Sequence, residues 1–199
     1  EQCLILDLGN VLFRGDPHAV WERVAAGSPL DRAELRRRVG ADGARIDFET
    51  GRMKADAFFA HLAALTEYRE GADAMARLWA VLFRPMSERV ATAVALAGDY
   101  PLWLFSNTNP THLEALEAAS PELFRAAAGG VYSHRSGWLK PHPQSYLAVE
   151  AASGASPADL IFLDDRPENV RAARARGWAA RCLGPDDDFV AGLRELGVR

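Results

Sequence analysis

Short apolar runs separated by helical patterns constrain this chain more than any other feature. Residues 3–6, 102–105, 160–163 and 179–183 are brief and apolar, and 130–132 is a weaker fifth run. Runs of this length read as strands buried on both faces. Apolar residues recur at helical spacing over 111–119, 144–152, 167–176 and 187–196, with a proline at the start of the third. Strands that alternate with helices predict a parallel sheet covered on both sides. The expected fold class is therefore α/β, a Rossmann-like three-layer arrangement.

Residues from about 15 to 85 break that rhythm. The spacing predicts helices over 17–26, 31–39, 55–65 and 72–83, and nothing but helices in this stretch. Ser28-Pro29, the 40–43 turn and Gly51 punctuate them. Residues 86–98 lead back to the sheet. The predicted division is an α/β core of residues 1–14 and 86–199, with a small helical cap domain, residues 15–85, inserted after the first strand.

Composition narrows the function classes. With 49% hydrophobic and 25% charged residues the chain has ordinary soluble composition. A net charge of -4 speaks against general nucleic-acid binding, and Arg36-Arg37-Arg38 reads as a solvated helix face. Cys3 and Cys182 fall in expected strands and read as small buried thiols, not as a disulfide scaffold. No apolar run reaches the ~18 residues a membrane span needs, and no signal-peptide pattern is visible. A cytoplasmic location, no membrane partner, and a monomer or homodimer are expected.

Four polar signals fall just past strand ends, where open parallel sheets bind ligands. They are Asp7, Ser106-Asn107-Thr108-Asn109, Lys140-Pro141 and Asp164-Asp165. Each has a local explanation taken alone: Ser106 and the aspartate pair could cap the helices that follow, and Lys140 could be a surface loop residue. Together, on neighbouring strands, they would converge. Carboxylates brought together repel unless a cation neutralises them. An oxygen-rich site of this kind suits Mg²⁺, and a lysine and a hydroxyl beside it suit phosphate.

These motifs, Asp7-Leu-Gly-Asn-Val-Leu12, Ser106-Asn-Thr-Asn109, Lys140-Pro141 and Leu163-Asp-Asp165, resemble those of the haloacid dehalogenase-like hydrolase superfamily. The combination is similar to a bacterial subgroup of small sugar-phosphate phosphatases that includes an α-glucose-1-phosphate phosphatase. The resemblance implies roles. Asp7 would be the nucleophile, forming an aspartyl phosphate. Asp7, the Gly9 carbonyl and Asp165 would hold Mg²⁺, with Asp164 acting directly or through water. Ser106 and the Asn107 backbone N–H would hold phosphate oxygens. Read from the residues themselves, Asn109 and Asn10 are expected to help order the site. Lys140 would neutralise charge on Asp7 and on the phosphate. The partner implied is a small phosphorylated metabolite.

One departure from the commonest family pattern stands out. Most phosphatases of the superfamily carry a second aspartate two residues after the nucleophile as general acid, and this chain has Gly9 there. The proton would come from water, from the substrate or from a cap residue such as His18. Loss of a general acid favours acidic leaving groups such as an anomeric hydroxyl. It also admits two alternatives: a metal-independent 2-haloacid dehalogenase, or a catalytically weak binding protein on the same fold. The paired Asp164-Asp165 favours the Mg²⁺ phosphatase. Cap residues expected to select the substrate include Arg14, His18, Trp21, Arg45, Glu49, Arg52 and Lys54, with the 49–54 turn the natural specificity loop. His112 and His142 read as helix-surface or loop residues.

Overall fold

Strand β1 (Cys3–Leu6) is buried along its whole length and is the middle strand of the main sheet. The computed structural model describes all 199 residues. After β1 come β2 (Phe13–Gly15) and five helices: α1 (Pro17–Gly27), α2 (Arg32–Ala41), α3 (Ala44–Glu49), α4 (Ala55–Leu65) and α5 (Gly71–Ala80). The chain returns through β3 (Phe83–Pro85), α6 (Ser87–Leu96), β4 (Leu102–Ser106), α7 (Pro110–Ala119) and α8 (Pro121–Ala126). It continues with β5 (Gly129–Tyr132), α9 (Ser133–Ser136), α10 (Pro143–Ser153) and β6 (Leu160–Asp164). It closes with α11 (Pro167–Ala175), β7 (Ala179–Cys182) and α12 (Phe189–Glu195).

The five strands run parallel in the order β5-β4-β1-β6-β7. Leu4 pairs with Leu102 and Ile161, and Leu6 with Leu104 and Leu163. Alternation along each strand then fills two cores. Leu4, Leu6, Leu104 and Leu163 pack with residues of α6, α7, α8 and α12. Ile5, Phe105 and Phe162 pack on the other side with Tyr146, Val149, Val170 and Trp178. The expected three layers are present.

A third cluster, from Val20 to Trp79, holds the helical unit together without the sheet. Its centre is aromatic: Phe48 stacks on Phe58 with centroids 4.3 Å apart, and Phe59 and Trp79 meet them edge-on. Proline follows the capping aspartate or asparagine at two helix starts. Asp16 accepts from Ala19 N before Pro17, and Asn109 accepts from His112 N before Pro110.

The structure corrects several expectations. Residues 15–85 are not helical throughout: β2 and β3 form an antiparallel pair, Phe13 opposite Pro85 and Gly15 opposite Phe83, where the helical unit leaves and rejoins the core. Three-residue strands paired across seventy positions carry no periodicity to read. The last helix of the unit accordingly stops at Ala80. The short helices α3, α8 and α9 also escaped the pattern. Cys182 is exposed, because β7 is an edge strand; only Cys3 is a buried thiol. No helix is long and apolar enough to cross a membrane.

Candidate active site

Because β4 and β6 flank β1, their carboxyl ends place Asp7, Ser106 and Asp164 side by side. Asp165 follows directly. Lys140 enters from the loop after α9, with its side chain 1% exposed. Its Nζ lies 3.0 Å from Asp7 Oδ1 and 2.6 Å from Asp164 Oδ2, and donates to the Phe105 carbonyl at 2.7 Å. Those three contacts use all three ammonium protons. Asp164 is saturated as well: it also accepts from Asn169 Nδ2 at 2.9 and 3.1 Å and from Arg166 N at 2.8 Å. Asp7 Oδ1 takes a further bond from Leu8 N at 2.8 Å, and its Oδ2 has no protein donor. Asp165 is half-buried, and its Oδ2 accepts from Asn10 Nδ2 at 2.8 Å.

Carboxylate oxygens of Asp7, Asp164 and Asp165 all lie within 4.8 Å of one another. One ammonium against three carboxylates leaves two negative charges in a nearly closed site. Burial is the main force raising the Asp7 pKa to about 7; Asp164 and Asp165 add to it and Lys140 opposes it. Burial also raises Asp165, against the Asn10 hydrogen bond. For Lys140 burial acts downward, yet the charges of Asp164 and Asp7 outweigh it and hold the pKa above the usual lysine value. An all-oxygen donor set with uncompensated negative charge fits a hard divalent cation. The group can hold a metal ion.

The remaining residues of the loop after β4 divide into free and engaged groups. The Ser106 side chain is buried at the strand end, and its hydroxyl has no protein hydrogen bond. The Asn107 side chain clamps the Lys140 backbone, donating to its carbonyl at 2.9 Å and accepting from its N–H at 2.7 Å. Thr108 exchanges bonds with the Ser133 hydroxyl. Asn109, 1% exposed, caps α7 and contacts His112 Nδ1 at 3.0 Å, so its amide is occupied at both ends. His112 is not a surface residue: it is buried, stacked on Trp79 of the helical unit with centroids 5.9 Å apart and touched edge-on by Phe83. Gly9 has an ordinary backbone conformation, and a Cβ there would meet the Phe83 ring at 3.5 Å.

The structure brings Asp7, Gly9, Ser106, Asn107, Lys140, Asp164 and Asp165 to one end of the sheet. It does not join His18 or Arg52 to them. His18 is exposed on α1 and lies 3.4 Å from Glu22; Arg52 is exposed and pairs with Asp47 at 2.8 Å. A cleft of about 460 Å³ lies between α1 and α2, lined by His18, Trp21, Arg32 and Leu35, and contains none of Asp7, Asp164 and Asp165. We place the chemistry at the carboxylates, since the cleft offers no group of comparable reactivity. Glu49 is mostly buried at the end of α3, 3.2 Å from Arg45. Burial raises its pKa, and the Arg166 charge beside Asp165 reaches it. Sequence reasoning missed Asn169, Arg89 and Phe83. The first two are polar residues on helical stretches with no local mark of their partners.

Residues 2–177 match the family model of the haloacid dehalogenase-like hydrolases. The chain belongs to that family. Among curated relatives, flavin mononucleotide hydrolase 1 of Arabidopsis thaliana is 40% identical over 63 residues, 32% of this chain and 26% of that protein. An enolase-phosphatase E1 of Streptomyces avermitilis is 41% identical over 49 residues, 25% of this chain and 20% of that protein. The matched segments thus span about a quarter of these relatives. Among solved structures, a family enzyme of Bacteroides thetaiotaomicron in complex with magnesium and inorganic phosphate superposes with a TM-score of 0.85 at 20% identity, covering 96% of this chain and 98% of that one. A family hydrolase of Porphyromonas gingivalis gives 0.85 at 23% identity, covering 100% and 98%. The L-2-haloacid dehalogenase of Xanthobacter autotrophicus gives 0.63 at 20% identity, covering 90% and 76%. At these identities the likeness is one of fold, and it agrees with the α/β architecture.

Proposed function

We propose that this hydrolase is a Mg²⁺-dependent phosphatase acting on a small phosphate monoester through an aspartyl-phosphate intermediate. The observation that carries the reading is Asp7 itself: one carboxylate oxygen fixed by Lys140 and Leu8 N, the other without a protein donor, beside two further carboxylates. Asp7 and Asp165, with the Gly9 carbonyl, are the groups to hold the cation. Asp164, with both oxygens taken by Lys140, Asn169 and Arg166 N, acts through Lys140 or through water. When bound, Mg²⁺ neutralises phosphate charge and lets Asp7 ionise.

In the first half-reaction the free Asp7 oxygen attacks phosphorus. The bond to the leaving oxygen breaks, and that oxygen departs with the electron pair and takes a proton from water. In the second, water attacks the same phosphorus and gives up one proton, which balances the hydroxide left by the first half-reaction; the bond to Asp7 breaks, releasing inorganic phosphate and restoring the Asp7 carboxylate. The Ser106 hydroxyl and the Asn107 backbone N–H hold the transferring oxygens. Asn107 also sets Lys140 through its side-chain clamp. The helical unit of residues 15–85 acts as the cap that excludes water.

Support for a phosphorylated substrate comes from the names of the partial relatives, a flavin mononucleotide hydrolase and enolase-phosphatases. The Asp7-Leu-Gly-Asn10 motif, shared with the sugar-phosphate subgroup, favours an acidic leaving group such as an anomeric hydroxyl. The test is phosphate release over an ester panel with Mg²⁺, with EDTA, and with Asp7→Asn. Wild type with Mg²⁺ is expected to turn over, and the other two are not. Halide release from 2-haloacids without metal would instead establish the dehalogenase reading, for which Asp164 and Asp165 have no use.

A further inference from the structure

Arg89, on α6, is buried at 7% exposure, and burial lowers its pKa. It has no carboxylate partner. Its hydrogen bonds all go to main-chain carbonyls: Nη1 to Val11 at 3.0 Å and Asn10 at 3.4 Å, and Nη2 to Gly184, Pro185 and Asp187 at 3.0, 3.1 and 2.5 Å. Burying an unpaired guanidinium is expensive, and here it spans two loops at once: the turn after β1 and the loop after β7. That turn carries Asn10, whose backbone is held in the left-handed region at φ 57°. From that strained position Asn10 Nδ2 donates to Asp165 at 2.8 Å, and its Oδ1 accepts from Gly15 N at 3.3 Å. One amide therefore ties Asp165 to the first strand of the helical unit.

We propose that Arg89 is a positioning residue for the cation site: by pinning the turn after β1 it holds the Asn10 amide where it orients Asp165. The proposal rests on the Mg²⁺ reading of the carboxylate group. A purely structural Arg89 would lower melting temperature and leave the metal affinity of the folded protein alone. Groups that orient a metal ligand, by contrast, typically contribute about 10–100-fold to affinity.

The test titrates Mg²⁺ alone into wild type, Arg89→Lys, Asn10→Gly and the double variant by calorimetry, well below each melting point. Glycine tolerates the left-handed turn, so Asn10→Gly removes the amide and keeps the backbone. A lysine ammonium cannot span both loops. Each single variant is expected to weaken Mg²⁺ binding about tenfold or more, and the double variant to be no worse than the weaker single. Affinity within about twofold of wild type in folded Arg89→Lys, or fully additive losses in the double variant, overturns the proposal. If Arg89→Lys does not fold, Arg89→Gln takes its place, and unchanged affinity in Asn10→Gly overturns the proposal alone. Wild type that binds no Mg²⁺ overturns the phosphatase reading and this inference with it; wild type that binds while the variants match it overturns only the inference.

Discussion

Lys140→Met removes the single positive charge among three carboxylates while keeping the length of the side chain. The wild-type Nζ lies 3.0 Å from Asp7 and 2.6 Å from Asp164. At an effective dielectric of about 20, each contact supplies roughly 5–6 kcal/mol of attraction. Most of that offsets the cost of burying the three groups. Removing one partner of such a buried set costs about 3–5 kcal/mol, because the remaining charges are stranded. Protonation limits the damage. The Asp7 pKa already stands at about 7, with Lys140 the group pulling it down. Without that pull the native pKa rises further above the unfolded one, so the native state binds more protons than the unfolded chain. Stability of the variant must then fall as pH rises through that window and recover as pH falls. Urea unfolding in EDTA is the assay. The expected deficit against wild type is about 3–5 kcal/mol at pH 8, a melting-point drop of roughly 6–20 °C, shrinking by about half or more at pH 5. A deficit under about 1 kcal/mol at pH 8, or the same deficit at both pH values, would refute the claim that Lys140 compensates buried charge.

Ser106→Ala is expected to leave stability within about 0.5 kcal/mol, since the hydroxyl has no protein partner, while kcat/KM on any phosphate ester falls about 10–100-fold through loss of one bond to a charged group. Steady-state kinetics beside a melting curve checks both halves. Burial holds the His112 imidazole down to about 4 from its ordinary 6.5. The unfolded chain therefore takes up a proton first, and wild type loses on the order of 3 kcal/mol as pH falls from 6.5 to 4. His112→Gln should show a pH–stability curve shallower by one proton across that interval, and parallel curves would exclude the burial argument. Gly9→Asp needs no left-handed backbone, and its Cβ would meet Phe83 at ordinary contact distance. It should raise turnover on alkyl phosphates by up to about 10²-fold; an unchanged rate would mean that protonation of the leaving group does not limit the reaction.

The sheet was legible because its signal is local. Four apolar runs define the strands, and the polar residue just past three of them, Asp7, Ser106 and Asp164, marks where chemistry gathers; the strands lie within a residue or two of the reading. The motif residues carried the candidate site for the same reason. What escaped depends on partners distant in sequence. The β2–β3 pair joins Phe13 to Pro85, and neither strand is long enough to show alternation. Arg89 reads as one more charged helix residue until the loops at 11 and 184 close around it. His112 looks like a surface residue because its burial is supplied by Trp79 and Phe83, thirty residues upstream. Asn109 matches a site motif, yet its amide is consumed by the helix it caps.

Two of the contacts that seat the helical unit on the core fall on segments leading to site residues. Trp79 stacks on His112, whose partner Asn109 starts α7 at the end of the Ser106 loop. On the other side the turn after Glu49 presses Gly51 against the His134 carbonyl, where a methyl group would collide, and Gly51 itself is left-handed at φ +74°. A larger residue would be both strained and obstructed there, so the close approach depends on that glycine. The Asp7 side chain is 10% exposed and the Lys140 side chain 1%. The turn that holds Gly51, residues 49–54, also bears the mostly buried Glu49. On the proposed phosphatase reading, substrate selection is expected of this turn, and exchanging its residues should change the order of preference over an ester panel while leaving Asp7 and Lys140 in place.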